Sequence, residues 1–311
     1  MSRRAARALG LGCLALALSC NAKVGGGGRG AREFDGARAF TYVERQVAFG
    51  PRVPGTAGHR RTGDWLQAEL RARADTVIVQ EFEQRTRKGE SLRLRNFVAR
   101  FQPAASERIL FLAHWDTRPR ADRSPNLAAQ RQPVPGANDG ASGVAVLLGV
   151  ADALRARPPA IGVDLLFVDG EDYGDFSDTT ETLLGSRYFA RHLPAGYAPL
   201  YAVLFDMVGD RDLQIYQEGN SVAFAPEVVQ LVWRAADALG YGHVFLPQPG
   251  ESITDDHLPL QQAGIHAIDV IDLHYGGPTN PWHHTTEDTI DKVSAASLQI
   301  VGDVAVALLR R

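Results

Sequence analysis

The sequence predicts an α/β fold, a three-layer sandwich in which a mixed, largely parallel central sheet is covered by helices on both faces. Three observations lead there. Short apolar runs alternate with stretches of helical spacing from residue 108 onward, the pattern of successive βαβ units. The runs at 108–113, 163–168 and 201–205 are apolar almost throughout, as strands buried on both faces must be. Each run also ends at polar, chemistry-bearing residues: His114 and Asp116, then Asp169, Glu171 and Asp172, then Asp206. In an open α/β sheet the carboxyl ends of the strands form the ligand crevice, so these residues are expected to converge.

Residues 36–48 and 57–73 carry helical spacing, and residues 76–79 and 92–101 alternate in the manner of strands. Residues 118–135, rich in Arg and Pro, read as a loop over or beside the crevice. A helix over 142–155 starts at Ser142 as its cap, which frees the preceding Asp139 from capping. Helices at 184–191 and 226–239 follow, and Asp255 is placed to cap a short helix through residue 262. A strand at 265–271 and an amphipathic helix at 294–309 close the chain. There is no internal repeat, and 311 residues at 45% hydrophobic content suffice for one large two-sided core.

The amino terminus reads as an export signal. Arg3, Arg4 and Arg7 precede an apolar stretch at 8–18 that is too short to span a bilayer. Ser19 and Cys20 follow, and then the glycine run at 25–28. The expected organisation is a lipoprotein-type signal peptide over 1–20, a flexible glycine-rich tether over 21–34 and one catalytic domain over 35–311. Cys20 would be the lipidation site, and the location would be the bacterial periplasm or cell envelope. Loss of residues 1–19 removes three Arg and leaves 30 basic against 36 acidic residues, −6 in place of −3. Such a chain is a poor nucleic-acid partner, and it would meet a membrane only through the anchor. Both cysteines, Cys13 and Cys20, lie in the leader, so the mature fold has no thiol to ligate metal or act as nucleophile. A monomer is expected.

The remaining candidates are oxygen and imidazole donors. Asp139 lies in the turn Gly136-Ala137-Asn138-Asp139-Gly140. Asp169, Glu171 and Asp172 put three carboxylates within four residues; exposed, they would be a solvated loop, but buried together they need a cation or a proton. An uncoordinated neighbour of a bound dication becomes a general base of raised pKa. His283 and His284 precede Glu287 and Asp288, either of which could orient a ligand imidazole. Hard oxygens plus imidazole point first to zinc, with manganese or cobalt as alternatives.

Taken together, His114-Trp115-Asp116, the segment 136–143, Asp169-Gly170-Glu171-Asp172, Leu204-Phe205-Asp206-Met207-Val208-Gly209 and His284-Thr285 with Asp288-Thr289 resemble the motifs of the zinc exopeptidase superfamily. That superfamily contains bacterial zinc aminopeptidases and the glutaminyl cyclases. The resemblance covers roughly residue 90 to the carboxyl terminus. The doubled Asp255-Asp256 before His257 is similar to the cyclase branch, as is Trp282 near the ligand His, since cyclase pockets have aromatic walls. The resemblance implies one zinc ion held by Asp139, Asp172 and His284, and Glu171 as proton shuttle with Asp255 and Asp206 as its partners. Trp282 would line the substrate pocket. The implied reaction converts the N-terminal glutamine of a peptide or protein to pyroglutamate with loss of ammonia. Two departures stand out: Asp172 replaces the Glu of animal cyclases, and His283 occupies the place directly before the ligand His. His114 and Asp206 would hold a second zinc in an aminopeptidase, the alternative enzyme. A non-catalytic, lipid-anchored binding protein is the third reading, and the complete ligand set with Glu171 argues against it.

Overall fold

The computed structural model describes residues 32–310, so the expected leader and most of the expected tether lie outside the described residues. Its centre is a six-stranded sheet in the order β1-β2-β4-β3-β5-β8. The strands are β1 (Thr76–Arg85), β2 (Ser91–Phe101), β3 (Arg108–His114), β4 (Gly162–Val168), β5 (Ala202–Asp206) and β8 (Ala267–Ile271). β1 and β2 run antiparallel to their neighbours, whereas β4, β3, β5 and β8 are mutually parallel. The sheet is therefore mixed and largely parallel, as the unbroken apolar runs require.

Side-chain alternation divides the interior into two layers. Phe111 and Ala113 of β3, Leu165 and Phe167 of β4, and Val203 and Phe205 of β5 face one core. That core packs against α1 (Gly36–Ala48), α2 (Ala57–Arg71), α3 (Ala141–Ala156), α6 (Pro226–Ala238) and α8 (Ala295–Leu308). Leu110, Leu112, Leu166 and Leu204 face the other, covered by Phe189 of α4 (Leu184–Arg191) and Leu260 of α7 (His257–Gln262). Burial of each such side chain stabilises by roughly 1.5–3 kcal/mol, an upper figure for a chain that is already partly collapsed when unfolded.

The fold departs from the sequence reading in several places. The described end of the expected tether, residues 32–34, is held in place. Phe34 is 2% exposed, and a Cβ on Gly149 or Gly302 would lie 2.4 or 2.3 Å from its ring. Two glycines facing each other across α3 and α8 thus make its slot. β1 runs to Arg85, beyond the 76–79 expected, because β2 pairs with it over its whole length. A two-stranded sheet of β6 (Ile215–Gln217) and β7 (Phe245–Pro249), with the short helix α5 (Gly219–Phe224), was not legible. α3 begins at Ala141 with Gly140 at its cap position and φ of +86°. Ser142 instead donates to the Asn138 carbonyl and accepts from Val208 N–H, tying the turn to the end of β5. Asp255 does not cap α7: Asp256 occupies the cap position without a capping bond, and its carboxylate accepts from Ser186.

β3 is central to the parallel set, with β4 on one side and β5 on the other. The chain passes from β3 to β4 on one side and from β4 back across β3 to β5 on the other, which opens a crevice at the carboxyl ends of those strands.

Candidate metal centre

The turn after β3 is shaped by Asp116. Its carboxylate accepts the backbone N–H groups of Glu171 at 3.0 Å and Asp172 at 3.2 Å, so the loop after β4 is fastened to the loop after β3. The turn before α3 is shaped by Asp288, which accepts from the N–H of Asn138 at 2.8 Å and Asp139 at 3.1 Å and from the Tyr275 hydroxyl at 2.7 Å. This corrects the expected role of Asp288: it orients the Asp139 turn and not a ligand imidazole.

Asp139, Asp172 and His284 converge. His284 Nε2 lies 3.3 Å from Asp172 Oδ1 and 3.6 Å from Asp139 Oδ2. A tetrahedral zinc with arms of about 2.0–2.1 Å separates its ligands by roughly 3.3–3.4 Å, close to these spacings. Asp139 Oδ2 and Asp172 Oδ2 are buried without a hydrogen-bond partner, and a cation is the natural complement of two such oxygens. Asp139, His283 and His284 offer ligand atoms within 4.8 Å of one another, a group that can hold a dication, and Asp172 adjoins it through His284. Arg118 Nη1 donates to Asp172 Oδ1 at 2.7 Å, the same oxygen that faces His284, and fixes that carboxylate.

Which histidine faces the acids follows from hydrogen bonding. Arg123 Nη1 stands 3.0 Å from His283 Nδ1, and a guanidinium can only donate. His283 Nδ1 is therefore the acceptor and Nε2 carries the proton, 3.9 Å from Asp139 Oδ2. His284 Nε2 faces the two carboxylates, and with its lone pair free it can share a cation with them. Burial, with Arg118 and Arg123 nearby, pulls its pKa down to about 3, so the imidazole is neutral as a ligand must be. His284 also adopts a left-handed backbone, φ +56°, a cost that a non-glycine residue bears where position matters.

A second group joins the first through Asp139. His114 Nε2 lies 3.1 Å from Asp139 Oδ1 and 3.2 Å from Asp206 Oδ1, and these three offer ligand atoms within 4.8 Å of one another. Burial opposes a charge on His114. Asp206, with the hydrogen-bonding carboxyls of Asp116 and Asp139, outweighs it and holds the imidazolium well above its ordinary range.

Glu171 is 5% exposed, at the wall of a cavity of about 720 Å³. Burial raises its pKa well above the usual carboxylate range, and the charges of Asp172, Asp255 and Asp256 add to the effect against the opposing His114. Asp255 is raised likewise, by burial first and then by Asp206 and Asp256. Asp269 is raised as well, by burial first and then by the charges of Asp255 and Asp206, and both of its carboxylate oxygens are buried without a hydrogen-bond partner. The sequence reading missed Asp269, an acid hidden in the strand Ala-Ile-Asp-Val-Ile with nothing in its spacing to mark it.

The cavity is lined by Glu171, Asp206, Asp255, Phe176, His283 and His284, among others. Trp282 was expected there, and the structure places it elsewhere. It packs edge-on against Tyr275 at 5.3 Å, over Gly276, with the Lys292 ammonium 5.1 Å from its ring centre. The aromatic surface comes from Phe176, whose ring stacks on His284 at 6.2 Å. It sits in an irregular loop after β4 where periodicity gives no warning.

Such a site can bind a cation, hold a basic group beside it and present imidazole and aromatic surface to a small polar ligand. The aminopeptidase YwaD of Bacillus subtilis is 32% identical over 189 residues, 56% of this chain, though the match spans only 37% of that protein's length. The crystal structure of Porphyromonas gingivalis glutaminyl cyclase superposes with a TM-score of 0.85 at 40% identity, covering 90% of this chain and 99% of that one. A leucine aminopeptidase precursor from Bacteroides thetaiotaomicron superposes with a TM-score of 0.83 at 38% identity, covering 89% and 97%. All the converging ligand candidates and Glu171 fall within residues 96–309, the span that matches the peptidase family M28 profile, and the chain belongs to that family.

Proposed function

We propose that this protein is a glutaminyl-peptide cyclotransferase that converts the N-terminal glutamine of peptides or proteins to pyroglutamate and releases ammonia. The observation that carries the reading is Asp255. It is buried and lines the same cavity as Glu171 and Asp206, and its charge helps to raise the pKa of Glu171, so the base belongs to a cluster of carboxyls and does not act alone. The likeness to the Porphyromonas gingivalis cyclase supports the same assignment.

In this reading Asp139, Asp172 and His284 hold one zinc ion, which when bound supplies Lewis acidity for the side-chain amide carbonyl. The substrate's α-amine attacks the side-chain amide carbon as the free base, and Glu171 takes the proton that the attacking nitrogen loses. The carbon–nitrogen bond of the amide then breaks. Glu171 returns the proton to the departing ammonia, and the ring product remains on the peptide. Because nucleophile and electrophile belong to one residue, the site gains its rate by holding a folded conformer. Asp255 and Asp206 keep the amine oriented and share the charge that Glu171 gains and loses. Phe176 supplies apolar surface for the side chain.

The competing reading is a two-metal aminopeptidase, and His114 with Asp139 and Asp206 is the observation in its favour. Purified protein assayed with glutaminyl- and leucyl-fluorophore substrates, with zinc counted in parallel, separates them. Pyroglutamate with one zinc per chain supports the cyclase; free leucine with two supports the peptidase. We further propose, from Arg3, Arg4, Arg7 and Cys20, export and lipid anchoring at the bacterial envelope. Fatty-acid labelling that marks the wild type but not Cys20→Ala tests this, and equal labelling of both rejects the anchor.

A further inference from the structure

Arg52 lies between α1 and α2, outside the residues matched by the family profile, and its side chain is fully buried. It has no carboxylate within hydrogen-bond contact among the described residues. Its guanidinium instead spans backbone carbonyls of two turns. Nη1 donates to Pro135 O at 2.7 Å and Nη2 to Gly136 O at 2.5 Å, with longer bonds to Asp139 O and, from Nε, to Trp115 O, both at 3.4 Å. Trp115 stands between His114 and Asp116, and Gly136 opens the turn that carries Asp139. One planar fork therefore joins the end of β3 to the turn before α3.

The turn is built to admit this group. Gly136 has φ of +70°, and a Cβ there would lie 2.7 Å from Arg52 Nη2 and 2.2 Å from Thr117 Cγ2. A buried cation without a direct partner is costly, and burial pulls the guanidinium down to about 10 even against the carboxylates around it. The compensating charges are Asp288, Asp139 and Asp116, the residues that build and orient the metal-ligand turns. His59, at the start of α2, makes a second tie from the same stretch of chain. It bonds to Asp169 at 2.9 Å and stacks on Trp115 at 4.4 Å.

We infer that Arg52 is a positioning residue for the metal centre: it clamps the His114–Asp116 and Gly136–Asp139 turns in ligating register and supplies fixed positive charge among their carboxylates. A lysine keeps the charge but cannot bridge both turns, since its ammonium is a single point and lacks the fork. The inference rests on the proposed metal site but not on the cyclase reaction. Metal affinity is read without substrate, so failure of the cyclase assay and failure of this inference are separate results.

The test uses full-length Arg52→Lys and Arg52→Met. Zinc affinity is measured by chelator competition, ligand geometry by the visible spectrum of the cobalt-substituted protein, and local opening by backbone hydrogen exchange. Arg52→Lys should bind zinc about 10–100-fold more weakly, the usual effect of losing a group that orients ligands. Its cobalt spectrum should change, and exchange should quicken at 114–117 and 136–141 but not in α8. Arg52→Met should lose more affinity than Arg52→Lys. Wild-type zinc affinity and unchanged exchange in both turns of Arg52→Lys would overturn the inference. If neither variant folds, the ¹⁵N resonance of the wild-type Arg52 Nε–H decides: a shift on zinc addition supports the clamp, and a resonance that zinc leaves unmoved refutes it.

Discussion

The carboxylate of Asp116 accepts the backbone N–H of Glu171 at 3.0 Å, and its other oxygen accepts that of Asp172 at 3.2 Å. The first is the proposed base and the second a proposed ligand, so one side chain sets the position of both. Asp116→Asn replaces one accepting oxygen with a donor and leaves one of these N–H groups facing an N–H. Zinc affinity and turnover should both fall, each by roughly 10–100-fold. Chelator competition and steady-state rates check this.

Glu171 and Asp172 are neighbours with separable roles. Glu171→Gln should keep metal and lower kcat by about 10²–10⁴-fold, the usual weight of a general acid–base group. Asp172→Ala should lose metal. Metal analysis beside rate measurement distinguishes the two, and a Glu171→Gln variant of near wild-type activity would show that the base lies elsewhere.

The buried acids also fix how the metal-free protein responds to pH. Asp256 and Asp288 are each raised to about 7, burial being the first cause, while an unfolded Asp titrates near 3.9. The folded state therefore binds more protons than the unfolded state, and stability falls as pH rises through the folded values. His114, Glu171 and Asp255 are raised and act in the same direction. His283 and His284 are lowered and act oppositely, but only below about pH 6.5, above which they are neutral in both states. The melting temperature of the metal-free protein should thus decline from pH 6.5 to 8.5. Zinc, which needs deprotonated ligands, should restore more stability at the upper end. Calorimetry across this window with and without zinc checks both signs.

Asp255 separates chemistry from metal binding. Asp255→Asn should abolish glutamine cyclisation and leave zinc content unchanged, because Asp255 lines the cavity with Glu171 and Asp206 and is no ligand in the proposed set. Loss of zinc together with activity would place Asp255 in the metal centre.

The strands and their carboxyl ends were legible because strands buried on both faces admit little but apolar side chains. His114, the acids after β4 and Asp206 therefore stood out where those runs stop. The same logic found the long helices. Ser142 misled because a serine before a helix reads as a cap from local spacing alone, whereas its hydroxyl is used to bind β5 to the turn. Trp282 misled because sequence adjacency to His284 says nothing of which way a ring turns; a left-handed residue at 284 puts consecutive side chains on different surfaces. Phe176, Asp269 and Arg52 act through contacts distant in the chain, with no periodic mark of their own. β6, β7 and α5 are too short to carry a period.

The central claim is cyclisation, and the most direct measurement is the mass of the product from one peptide beginning with glutamine. A cyclase yields the full-length peptide less one ammonia, and Glu171→Gln protein leaves the peptide unchanged over the same interval. A peptide shortened by one residue, with free glutamine in solution, would contradict it and establish the aminopeptidase.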